Sequence, residues 1–164
     1  MRNCTRRRSL LVVCLITVFA RHASAFQTGI TGLTTDSVTG CNQCHSGGAT
    51  PIVTLSGPQA VLPGSTTEYL LQIFEIGSQH RGGLDFGATA GTLAVGGSHS
   101  SFTQNAFGEI THTSPKPGDG TSVKFSFLWT APNTLTTETL RGWGNAVNFS
   151  GTNSGDAASY TTLP

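Results

Sequence analysis

Between Val123 and Trp129 the chain sets Val123, Phe125, Phe127 and Trp129 at alternate positions. A period of two puts all four on one face of an extended strand. A face that large and apolar needs a second layer to cover it, so this strand belongs to a sheet packed against another element. Lys116-Pro117-Gly118-Asp119-Gly120 is a strong turn before it. Ala131-Pro132-Asn133 ends it, because proline has no N–H to give to a ladder.

The same texture runs from Pro51 to the end: short apolar runs split by Gly, Pro, Asn and Ser. It predicts strands at 52–55, 66–76, 108–113, 137–147 and 157–162. A further one, at 84–95, carries a bend or bulge near Gly87 and Gly91. After residue 25, helical periodicity is absent apart from a single turn near residue 41. About seven short strands with frequent turns predict an all-β, antiparallel, Ig-like β-sandwich over residues 51–164. Trp129 belongs to its core, and core packing is favoured for Trp143 over a contact with a bound group. Gly144 to Asn148 together with Asn153 to Asp156 reads as a loop of Asx turns; calcium would want more carboxylates than Asp156.

The first 25 residues read as an address. Arg2 and Arg6 to Arg8 are followed by an eleven-residue apolar run, Leu10 to Ala20, and then by Ala23-Ser24-Ala25. That is the layout of a cleaved signal peptide, and the run is shorter than the ~20 residues that span a bilayer. The mature chain therefore starts at Phe26 and has no membrane span. Five of the nine basic residues leave with the signal, and all eight acidic ones stay. The mildly acidic remainder lacks the basic face that a nucleic-acid partner requires. Charged residues are only 10% of the chain, against about a quarter in average proteins. Such a composition is common in secreted β-rich proteins.

Cys4 and Cys14 also leave with the signal, so the mature chain keeps only Cys41 and Cys44. They lie in Gly40-Cys41-Asn42-Gln43-Cys44-His45, the attachment signature of c-type haem. Two thiols three residues apart can reach the two vinyl groups of one porphyrin, and His45 then supplies an axial nitrogen to the iron. A thioredoxin-like motif would follow a strand in a βαβ unit, and zinc would need a second cluster; neither pattern is present. A local Cys41–Cys44 disulfide and a chance match remain as alternatives. The favoured reading is one haem c on residues 26–50.

Met1 is the only methionine, so the sixth iron position falls to a histidine or stays open. His112 is the first candidate, in the strand-like stretch Glu109-Ile110-Thr111-His112-Thr113. His80, in a polar loop, is the second, and His99 in a Gly/Ser-rich loop is the third. Two histidines on one iron place their nitrogens about 4 Å apart, twice a metal–nitrogen bond of about 2.0 Å. Bis-histidine ligation gives a lower potential than histidine–methionine.

The stretch from Gly40 to Thr162 resembles the bacterial Reeler-like domains of the choice-of-anchor V type. The resemblance rests on Cys41 to His45, Leu84-Asp85-Phe86 with Gly91-Thr92-Leu93, Ile110 to Pro115, Trp129 to Pro132, and Gly144 to Asn148 with Gly155-Asp156. It implies an extracytoplasmic Ig-like or Reeler-like sandwich, and it adds weight to His112. It supplies no activity. The chain ends at Pro164 without an apolar tail, so the expected place is periplasm, cell surface or outside the cell. The functional expectation is an exported monohaem protein that carries electrons, with a redox partner that the sequence does not name. The alternative is a non-catalytic binding or adhesion sandwich with a Cys41–Cys44 disulfide. An enzyme ranks third, since no catalytic triad or carboxylate pair stands out.

Overall fold

The computed structural model describes residues 26–164; the export signal expected over residues 1–25 lies outside them. The regular structure of the described chain is all β apart from one 3₁₀ turn at Gly40–Gln43. The strands are β1 (Ser46–Gly47), β2 (Val53–Ser56), β3 (Thr66–Phe74), β4 (Arg81–Ala88), β5 (Thr92–Val95) and β6 (Thr103–Ala106). They continue as β7 (Glu109–His112), β8 (Lys116–Pro117), β9 (Ser122–Thr130), β10 (Leu140–Val147) and β11 (Ser154–Leu163). Two sheets form. One has four strands in the order β2-β3-β9-β5. The other has seven, in the order β1-β11-β10-β4-β7-β6, with β8 also on β4. All pairings are antiparallel except β1 with β11. The architecture is a two-sheet β-sandwich.

The alternating strand is its keel. In β9, Val123, Phe125 and Phe127 are buried and pair with Ile73, Leu71 and Tyr69 of β3. The other sheet contributes Leu84, Phe86, Ile110, Leu140 and Ala146. The Phe86 and Phe127 rings meet across the gap with centroids 4.0 Å apart. Each of these large side chains contributes about 1.5–3 kcal/mol on burial. Trp129 closes one end of this core, and its Nε1 donates to the Ala90 carbonyl at 2.9 Å.

Three local readings change. The bent strand expected over 84–95 is two strands: β4 serves the seven-stranded sheet and β5 the four-stranded one. β6, with sequence Thr-Gln-Asn-Ala, has no apolar alternation to announce it; it is an edge strand held by a hairpin to β7. Gly144 to Val147 is the end of β10 and Ser154 to Asp156 the start of β11, not loop. The Asx turn is real but lies one step on, where Asn148 Oδ1 accepts the Ser150 N–H at 3.0 Å.

β4 and β10 are buried along nearly their whole length. Residues that alternate with the core-facing ones point to the outer face of the seven-stranded sheet, and residues 26–48 cover that face. The Ile30 N–H donates to Thr111 Oγ1 at 3.1 Å and the Leu33 N–H to Asp85 Oδ2 at 2.9 Å. Glu109 accepts from the Gly32 N–H and the Thr34 hydroxyl, both at 2.5 Å. A second apolar cluster forms beneath this strap, with Cys41, Trp143 and Ala158 buried and Leu33 and Tyr160 against them. Among the described residues no helix is long and apolar enough to cross a membrane.

Candidate functional site

The 3₁₀ turn holds the Cys-x-x-Cys-His motif against the outer face. The Cys44 and His45 N–H groups both point at the Cys41 carbonyl, at 3.3 and 3.2 Å. Asn42 exchanges two hydrogen bonds with Ala158 of β11, at 2.9 and 3.0 Å. Trp143 braces the turn from below. Its Nε1 donates to the Asp36 carbonyl at 2.8 Å, and its indole fills the space where a Cβ on Gly40 would stand, at 2.0 Å. Its role is thus packing under the motif.

Both cysteines are free. Cys41 is buried, and burial, followed by the charges of Asp85 and Cys44, pushes its thiol up to about 12. It stays a protonated thiol in any physiological medium, unlike the depressed thiols of redox-active Cys-x-x-Cys pairs.

His45 is nearly buried, and its Nδ1 lies 3.0 Å from Asp156 Oδ2. A carboxylate can only accept, so Nδ1 carries a proton and Nε2 is the nitrogen left to ligate a metal. Asp156 is itself fixed by the Asn148 N–H, 2.8 Å from Oδ1.

His112 ends β7. Its Nδ1 lies 3.2 Å from both the Leu84 N–H and the Leu84 carbonyl. Burial is the largest influence on its ring and lowers its proton affinity; main-chain contacts with Leu84 and Phe26 pull the other way, and His45 lowers it again. The ring is therefore neutral at neutral pH, the form that binds metals.

The two histidines and the two thiols share one space. A small cavity of about 30 Å³ is lined by Cys41, Cys44, His45 and His112, with Leu33 and Leu84 among its apolar walls. A larger cleft of about 530 Å³ shares Phe26, His45, Gly83, His112 and Asn145 with it. That volume lies in the range of cofactor sites. Across the floor the order is fixed by register: Asn145 of β10 pairs with Gly83 on one side and Ala158 on the other. The His112 ring lies over Gly83, and His45 is tied to Asp156, two residues before Ala158. Asn145 thus sits between the histidines, and its Oδ1 is buried without a partner.

The other candidates fall elsewhere. His80 is on an exposed turn, paired with Glu75 at 2.8 Å. His99 is exposed in the loop after β5. Neither lines the two cavities that hold the motif. Three residues of this region stand in the motifs quoted above without a haem-site role assigned to them there. Asp156 and Asn145 enter it only through strand register. Asp85 is wholly buried below the strap, and burial, then Glu109, push its carboxyl up to about 8.

Among the described residues no three His, Cys, Asp or Glu side chains come close enough to hold a bare metal ion. Haem asks for a different set: two thiols for covalent attachment and one or two axial nitrogens around a flat cavity. The shared cavity supplies that set of side chains, two thiols and two imidazoles; at about 30 Å³ it is smaller than a porphyrin, whose bulk only the adjoining cleft of about 530 Å³ could take. No family model matches the chain, and no protein of established function matches its sequence.

Proposed function

We propose that this chain is an exported, monohaem c-type protein that exchanges single electrons, built on a Reeler-like, Ig-like β-sandwich. The supporting observation is the convergence of Cys41, Cys44, His45 and His112 on one cavity. Cys41 and Cys44 would hold the haem through thioether links, with His45 and His112 supplying nitrogens to its iron. Haem c supplies a one-electron Fe(III)/Fe(II) couple when bound. The protein's own part is to hold the His45 ring through Asp156 and the His112 ring through Leu84, and to cover the thiol side with Leu33, Leu84 and Trp143. The wider cleft, with exposed Phe26 and Phe149 at its edge, leaves a route for electrons from a redox partner. The compartment is the periplasm or the cell exterior, where haem c is attached after export.

The test is expression with a c-haem maturation system, followed by a haem stain on a denaturing gel and a visible spectrum. A stained band with a low-spin spectrum is expected, and His112→Ala should make it high-spin. A colourless band would return the chain to the class of binding sandwiches.

A further inference from the structure

Asp156 is only 2% exposed, and its carboxylate faces the site. Its oxygens are held by the Asn148 N–H at 2.8 Å and by His45 Nδ1 at 3.0 Å. Among the described residues no lysine or arginine forms an ion pair with it. A buried carboxylate without a cation is costly, and its cost falls when positive charge arrives nearby. The one hydrogen bond that can pass charge onward runs through His45, whose ring lines the cavity.

We propose that Asp156 is a positioning residue that holds His45 in its Nδ1–H form and sets the iron's redox potential low. The inference rests on the haem reading above. A carboxylate on the far nitrogen of an imidazole raises the basicity of the ligating one. A more basic ligand favours the ferric over the ferrous state, because the ferric centre carries one more positive charge. The buried negative charge acts in the same direction, and the low dielectric around it leaves that effect little screened. Asp156 thus adds to the lowering that bis-histidine ligation already gives. The partner that reduces this protein must then be a low-potential donor.

The experiment is spectroelectrochemical titration of the haem-loaded protein and of Asp156→Asn at one pH and salt concentration. The asparagine side chain can still accept from Nδ1 through its carbonyl, so orientation is kept while charge is removed. The ferric preference should fall at least tenfold, an upward shift of about 59 mV for a one-electron couple. An unchanged or lower potential overturns the proposal. If Asp156→Asn does not fold, the native ferric protein decides. Its near-infrared charge-transfer band follows axial-ligand basicity and should lie toward the imidazolate side; a position typical of neutral bis-imidazole overturns the proposal. A native chain that takes up no haem overturns the haem reading and this one with it. A haem-bearing chain indifferent to Asp156 overturns this one alone.

Discussion

The His112 ring occupies the room that a side chain at Gly83 would need. A Cβ built on Gly83 comes within 2.7 Å of His112 Cε1, and both neighbouring ring nitrogens lie at 3.0 Å or less. Glycine on β4 is therefore the condition for His112 to lie over the floor of the cavity. Gly83→Ala should push the ring away at an overpacking cost of about 1–3 kcal/mol. The fold survives that cost, and the haem-loaded protein should gain high-spin character in its ferric spectrum. A fully low-spin Gly83→Ala spectrum would show that His112 is not the distal ligand.

Asp85 makes stability depend on pH. Its carboxyl is raised from 3.8 to about 8, first by burial and then by the neighbouring Glu109. Between those values the folded chain keeps a proton that the unfolded chain has released. Stability is then present at low pH and is lost as pH rises through the window. His112 is depressed from 6.5, which adds an opposite slope below that value. Between pH 6.5 and about 8 only the Asp85 effect of the two remains. Urea denaturation should therefore give a falling midpoint from pH 6.5 to 8, and Asp85→Asn should flatten it. A midpoint that rises over this interval contradicts the assignment.

The β9 strand was legible because Val123, Phe125, Phe127 and Trp129 alternate without interruption, and one inter-sheet core follows from it. The Cys-x-x-Cys-His turn was legible because the motif is local. What stayed hidden is long-range. Asp156 reads as a loop residue until β11 is paired with β1, where it stands opposite Gly47, and Asn145 until β10 is paired with β4. The outer face of the seven-stranded sheet carries Asp85, Trp143 and Asn145, a mixed set in which only Trp143 announces burial. Only the strap of residues 26–48 makes it interior, and that strap has no periodicity of its own.

Phe125 measures the main core independently of the site. It is fully buried between Leu71 and its neighbours, with the Lys116 ammonium 5.1 Å from its ring centroid. Phe125→Ala should cost about 3–5 kcal/mol in chemical denaturation. A loss below about 1 kcal/mol would mean that the two sheets do not close over this position.

Cys41 and Cys44 differ in burial, and that difference separates attachment from folding. Cys41 lies beneath the strap with Trp143 and Ala158, whereas Cys44 is half-buried. If the chain carries haem as proposed, replacing either by serine removes one thioether. The haem should stay attached through the other, and the alkaline pyridine spectrum should shift toward that of a haem with one free vinyl group. Cys41→Ser also sets a hydroxyl among apolar neighbours, which costs about 1–3 kcal/mol where no partner is available. Cys44→Ser, nearer solvent, should leave stability within about 0.5 kcal/mol, as surface changes do. Denaturation of the haem-free forms reads the second effect without the first. If the two serine variants unfold at the same midpoint, Cys41 is not the buried member of the pair.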